Sequence, residues 1–164
     1  MTRAKGPKHI VGYRRRREGV TKFSKRLSLI KGRKTRMVVR KSNRNLVIQF
    51  VDFDAKGDKT QFIFNSVQLK KLFKWPSARN SWTAYLAGLY AGKEAAKKGV
   101  KEVIPDIGRH TPTKGSVVFA AIKGAADAGI KCAFSDDVVP TDKISNPPEK
   151  VKSLFEEVKK KIAG

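Results

Sequence analysis

The sequence predicts an α/β domain: a mixed sheet of three antiparallel strands followed by βαβ-type units, flanked by helices, with a basic arm in front and a helix behind. Three observations lead there. Runs rich in β-branched and aromatic residues, Thr35 to Lys41, Leu46 to Phe53 and Gln61 to Phe64, are separated by turn-forming segments. Two stretches 30 residues apart, Ala96-Lys97-Lys98-Gly99-Val100-Lys101 and Ala126-Asp127-Ala128-Gly129-Ile130-Lys131, each end a helical pattern in glycine and continue into a short apolar strand. Residues 1 to 45 hold 17 Lys or Arg against one acid, Glu18, and so carry +16 of the chain's formal +23.

Met1 to Gly19 contains Arg14-Arg15-Arg16-Arg17 beside Tyr13, with Gly6, Gly12 and Gly19 interspersed and almost nothing to bury. Alone it is expected to be unfolded. From Val20 the pattern turns amphipathic: Val20, Phe23, Leu27 and Ile30 recur at spacings of three and four, while Lys22, Lys25, Arg26 and Lys31 fall elsewhere on the wheel. This reads as a short helix that anchors the arm by one apolar stripe. The three strands form an antiparallel meander, joined by Ser42-Asn43-Arg44-Asn45 and Asp54-Ala55-Lys56-Gly57-Asp58.

A connecting segment ending at Trp75-Pro76 leads into a helix over Ser81 to Lys98, where Ala84, Gly88, Gly92 and Ala96 form a ridge of small residues. Ala120, Gly124 and Ala128 repeat the ridge in a helix over Ser116 to Ala128. A helical glycine costs roughly 1 kcal/mol against alanine, so keeping it implies close backbone approach, and a sheet face is the expected neighbour. The strands Val103-Ile104 and Cys132 to Phe134 follow the terminal glycines, a repeat of βαβ length that implies parallel strands. Pro140 to Pro148 reads as a loop. Glu149 to Ile162 reads as a helix whose stripe of Val151, Leu154, Phe155, Val158 and Ile162 docks on the domain or on a partner. The chain thus divides into an arm with its short helix (1–34), an α/β domain (35–140), and a C-terminal loop and helix (141–164).

Composition narrows the function classes. The chain is 164 residues long and 40% hydrophobic, enough for a core. No stretch approaches the roughly 20 apolar residues that span a bilayer, and Met1 to Lys8 is basic with no apolar segment behind it. The expectation is a protein with no membrane partner that stays in the cytoplasmic compartment where it is made. Cys132 is the single cysteine, set in an apolar packet, and reads as a buried structural thiol. His9 and His110 have no acidic or thiol pattern at metal spacing, so neither a metal nor any other cofactor is expected.

Catalytic patterns fail on their particulars. Gly88-Leu89-Tyr90-Ala91-Gly92-Lys93-Glu94 has three residues between its glycines instead of four, and Glu94 where a phosphate loop needs Ser or Thr. Ser42, Asp106 and His110 hold the atoms of a hydrolytic triad but lie on separate elements with no nucleophile elbow. A two-metal nuclease on a ribonuclease H-like layout would need clustered carboxylates on adjacent strands; the first strand has none, and Asp52, Asp54 and Asp58 crowd a turn. No enzyme and no small-molecule substrate are expected.

What survives is a constellation of cations mixed with hydrogen-bonding groups. Arg36, Arg40, Lys41 and Arg44 bracket Ser42, Asn43 and Asn45, giving phosphate donors beside short side chains that reach sugars or base edges. RNA fits better than DNA, because the deep narrow groove of an A-form helix excludes a recognition helix and favours extended arms and shaped platforms. The candidate RNA-binding residues are Lys5, Lys8, His9, Tyr13, Arg14, Arg15, Arg16 and Arg17 on the arm, Lys22, Arg26, Arg33 and Lys34 on the short helix and its exit, Arg36, Arg40, Lys41, Ser42, Asn43, Arg44 and Asn45 on the hairpin, and Arg109, His110 and Lys114 further on.

Several runs carry a resemblance. Tyr13-Arg14-Arg15-Arg16-Arg17-Glu18-Gly19-Val20-Thr21, Val38-Val39-Arg40-Lys41-Ser42-Asn43, Ala84-Tyr85-Leu86-Ala87-Gly88-Leu89-Tyr90-Ala91-Gly92-Lys93, Asp106-Ile107-Gly108 and Lys114-Gly115-Ser116-Val117-Val118-Phe119-Ala120-Ala121 resemble, in order, the large-subunit ribosomal protein eighteen family in its archaeal form. The resemblance implies a non-catalytic ribonuclease H-like architecture that binds 5S ribosomal RNA in the central protuberance. Large-subunit ribosomal RNA and neighbouring large-subunit ribosomal proteins are the further partners it implies. It also implies that the loop Arg109 to Lys114 faces RNA, along with the arm and the hairpin. Lys74-Trp75-Pro76-Ser77-Ala78-Arg79-Asn80 departs from the family's more glycine-rich connector.

Overall fold

Alternation along the first strands decides the layering. The computed structural model describes residues 6–76 and 79–163. Strands β1 (Thr35–Lys41), β2 (Leu46–Asp52) and β3 (Lys59–Asn65) pair as the expected antiparallel meander, with Val38 opposite Gln49 and Gln49 opposite Ile63. Strands β4 (Glu102–Asp106) and β5 (Lys131–Cys132) add in parallel beyond β1, giving the order β3-β2-β1-β4-β5. Met37, Val39, Leu46, Ile48, Phe50 and Phe64 point into one buried core under the helices. Because side chains alternate, Arg36, Val38, Arg40, Gln49 and Val51 share the other face. This is a mixed open sheet flanked by helices.

Helices α4 (Ser81–Lys97) and α5 (Val117–Asp127) cover the core face. Both end as their glycines require. Gly99 and Gly129 adopt φ +87° and +97°, and the amides of Val100 and Ile130 donate back to Ala95 and Ala125. The small-residue ridges do not lie on the sheet as expected; they lie on each other. A Cβ at Gly88 would stand 2.0 Å from the Ala121 carbonyl oxygen, and one at Gly124 2.2 Å from that of Tyr85. Two helices crossing at their glycines come closer than a pleated face of valines would let either come.

The segment before α4, expected as a plain connection, contains helix α3 (Val67–Phe73). It ends on Lys74 in the left-handed region and delivers Trp75 to the core, 1% exposed, with its indole N–H donating to Thr83 Oγ1 at 2.8 Å. The loop after residue 140 also holds one helical turn, α6 (Thr141–Ser145), whose Lys143 carbonyl accepts from the Trp82 indole. The last helix, α7 (Glu149–Ala163), docks on the chain itself. Phe155 packs against Trp75 and Tyr85, with ring centroids 6.2 and 6.0 Å apart, and Val158 and Ile162 are buried beside it. Helix α4 is therefore packed on two sides, which explains why ten of its residues are buried. Cys132 is half-buried, and burial pushes its thiol up to about 12, so it is protonated at neutral pH.

Candidate nucleic-acid interface

The sheet face free of α4 and α5 is roofed by the arm. Arg14–Arg17 makes a single helical turn, α1, instead of remaining extended, although none of its residues is buried. Arg15 holds the exit by donating to Thr21 Oγ1 at 3.0 and 3.2 Å, and the Arg109 guanidinium lies beneath Gly19, whose φ is +62°. The following helix, α2 (Phe23–Lys31), does not dock by the expected stripe. Phe23 and Leu27 are 45% and 55% exposed, while Arg26, Leu29 and Ile30 turn toward the body. On the docked face Arg26 bonds Asp58 at 2.8 Å, and Asp58 also takes Arg36 at 2.6 Å.

That pair begins a chain of charges across the face. Arg36 continues to Asp106 at 3.3 Å, and Asp106 takes Arg40 at 3.3 Å while accepting the Gly108 amide at 2.8 Å. Arg40 Nη1 donates to the Asp106 carbonyl at 2.7 Å, with Gly108 (φ +61°) leaving room for the guanidinium. Asp52 lies apart, accepting from Thr35 and Gln61 at 2.6 Å each. These carboxylates are thus committed to cations and hydrogen-bond donors of their own chain.

Around this chain lies a groove of about 350 Å³ in which seven cations, Arg15, Lys22, Lys25, Arg26, Arg36, Arg40 and Arg109, meet two carboxylates, Asp58 and Asp106. The excess positive charge faces a concave surface, where field lines converge and polyanions are drawn in. Of the sequence candidates, the groove gathers Arg15, Lys22, Arg26, Arg36, Arg40 and Arg109. Arg36 needs correction as a phosphate contact: it is 4% exposed and held by two carboxylates, so it organises the site from below. Lys34 is bonded to Glu102 at 2.5 Å, and Arg33, Lys34 and Arg36 line a separate depression with Phe53.

Ser42 closes its own turn, donating to the Asn45 carbonyl at 3.0 Å and accepting the Asn45 amide at 2.9 Å; its hydroxyl is already engaged. Asn43, Arg44 and Asn45 keep side chains that bond no other described residue, and Arg79 donates to the Asn43 carbonyl at 2.9 Å. Lys8, His9, Tyr13, Arg14, Arg16, Arg17, Lys41 and Lys114 are exposed outside the groove, and Lys5 lies outside the described residues. Sequence reasoning missed Gln49, Thr60 and Thr21 as lining, and left Lys25 out of the site. The strand alternation that put Arg36 and Arg40 together could have found Gln49, which pairs with Val38 between them.

The loop after β4 is tied to the hairpin through His110, whose Nε2 accepts the Lys41 amide at 3.3 Å. Burial first, then Lys41 and Arg40, hold this imidazole below its ordinary value. A histidine depressed in the folded chain binds fewer protons there than when unfolded. Its contribution is therefore present above the unfolded value of about 6.5 and is lost as pH falls through it toward the folded value. The His110 ring protons will titrate below an unstructured histidine in an NMR series. Replacing it, His110→Gln, will reduce the fall in melting temperature below about pH 6.5.

Comparison with known proteins decides the lineage. The profile of a family described as ribosomal large subunit proteins 60S L5, and 50S L18, matches residues 8–103. The chain belongs to this family. It is 45% identical over 139 residues to the large ribosomal subunit protein uL18 of Aeropyrum pernix, covering 84% of this chain and 65% of that one. It is 44% identical over 140 residues to the protein of the same name from Korarchaeum cryptofilum, covering 85% of this chain and 71% of that one. The chain thus spans about two thirds of the length of these relatives, and slightly less for the first. The family match takes in α2, the whole meander and α4, and so most of the residues that form the groove.

Proposed function

We propose that the chain is a structural constituent of the large ribosomal subunit that binds 5S ribosomal RNA and helps attach it to the large ribosomal RNA in the central protuberance. One observation carries the reading: seven cations converge with two carboxylates on a concave sheet face roofed by a basic arm. A solvated basic surface would spread such charges apart. The arm and short helix (1–34) supply neutralising charge, the α/β domain (35–140) sets the docking pose, and the C-terminal loop and helix (141–164) brace α4 from behind. Neighbouring large-subunit ribosomal proteins complete the set of partners, and the work is done on the cytoplasmic ribosome without catalysis.

Filter binding of 5S transcript across a salt series tests the proposal. If about eight phosphates are neutralised, log affinity falls against log salt with a slope of roughly −6, at about 0.7 per phosphate for single strands. Deleting residues 1–19 removes Arg15 from the groove and the tetra-arginine turn with it. Affinity drops and the slope flattens, while thermal unfolding stays cooperative. Equal affinity for 5S RNA and an unrelated RNA of the same length would reduce the chain to a general polyanion binder.

A further inference from the structure

We propose that the groove takes a single extruded nucleotide of RNA, its phosphate at the cationic rim and its base on the apolar floor against Gln49. The proposal rests on the RNA-binding reading above and adds which part of the RNA enters. Size is the first argument. About 350 Å³ lies at the low end of the roughly 300–1,000 Å³ of small-molecule sites, room for one nucleotide and none for a duplex.

The lining is the second argument. A site for phosphate alone needs only donors and charge, which Arg15, Lys22, Lys25 and Arg109 supply at the rim. This groove has more. Val38 and Val51, 7% and 6% exposed, make an apolar floor, and Val20 of the arm closes one side. Gln49 stands on that floor, opposite Val38 in the strand pairing and two residues from Val51 on the same face. Its half-buried amide bonds no described residue, so one acceptor and two donors are open to a ligand. That mixed set suits the edge of a nucleobase, and a phosphate has no use for its acceptor. Beside Val38 on the same face Arg36 is nearly fully buried, paired with Asp58 and Asp106, and its Nε has no hydrogen-bond partner among the described residues. Unstacked bases are what proteins read in RNA, and an enclosed floor with an open amide is a receptor for one of them.

The test is an NMR titration of the full chain, labelled with nitrogen-15 and methyl carbon-13, with AMP, GMP, CMP and UMP separately, and with inorganic phosphate as the control. At least one mononucleotide is expected to shift the Gln49 side-chain amide and the Val38 and Val51 methyls at concentrations where phosphate leaves them in place. Gln49→Leu, whose melting temperature is checked first, is expected to abolish the difference among nucleotides and weaken 5S transcript binding about tenfold. Phosphate reproducing every shift would make this an anion site and overturn the proposal. So would silence from all four nucleotides with Gln49→Leu binding the transcript normally, an outcome that leaves the RNA reading standing. Nucleotide shifts in a chain that ignores 5S transcript would instead support the pocket and remove the reading.

Discussion

Gly88→Ala and Gly124→Ala each lower the melting temperature, although alanine is the better helix former by about 1 kcal/mol. Propensity and packing predict opposite signs here, and distance decides between them. The added carbon at Gly88 would lie 2.0 Å from the Ala121 oxygen and 2.8 Å from its carbonyl carbon; at Gly124 it would lie 2.2 Å from the Tyr85 oxygen and 2.8 Å from the Leu89 nitrogen. All four are backbone atoms, so no rotamer change relieves the overlap. The helices must move apart, and α4 is held on its other side by Phe155 and Trp75. Overpacking of this kind costs about 1–3 kcal/mol and sometimes more, and here the upper end applies because two rigid elements are displaced. A net loss near 2 kcal/mol corresponds to a fall of roughly 4–8 °C for a chain of this size. The double variant loses less than the sum, since the first substitution already opens the crossing for the second. A rise in melting temperature for either single variant, read by circular dichroism, would mean that the two ridges do not meet.

Legibility followed the range of the interaction that fixes each element. The meander strands and the glycine ends of α4 and α5 were readable because alternation, turn residues and left-handed backbone act within a few residues. The ridges announced close approach, but nothing in Gly88 or Gly124 says whether a sheet or a second helix arrives; helix meeting helix emerges only when both ridges are placed over one sheet. Helix α2 was found by its period and misread in its docking face. Its docking face carries Arg26, bonded to Asp58 32 residues away, a contact that the period of the helix does not contain. The candidate site divides the same way. Arg40 and Arg109 were visible as cations, but Arg36 looked like one more phosphate donor because its carboxylate, Asp106, lies 70 residues downstream. Gln49 went unseen because an uncharged residue in a strand draws notice only once its neighbours across the ladder are known.

Asp106→Ala is the substitution expected to damage both fold and site. The carboxylate serves Arg36, Arg40 and the Gly108 amide at once, and it is 6% exposed. Removing it leaves Arg36, 4% exposed, with Asp58 as its remaining counter-charge. Taking one member from a buried pair costs about 3–5 kcal/mol, because the other charge stays desolvated. The Arg40 share is discounted, since its side chain is 43% exposed and water compensates there. The expected loss is about 3 kcal/mol in a denaturant titration. The ionic origin has its own signature: Arg36→Met combined with Asp106→Leu removes both charges and should be more stable than Asp106→Leu alone, a positive coupling that a packing defect would not produce. The site should suffer through geometry. Without Asp106, Arg40 and Gly108 lose their common anchor, Arg109 shifts beneath Gly19, and the arm no longer roofs the groove. Affinity for 5S transcript should therefore fall in Asp106→Ala by more than in Lys114→Ala, although the first removes a negative charge and the second a positive one. If RNA binding instead tightened, as net charge alone dictates, the ordered groove would have no part in recognition.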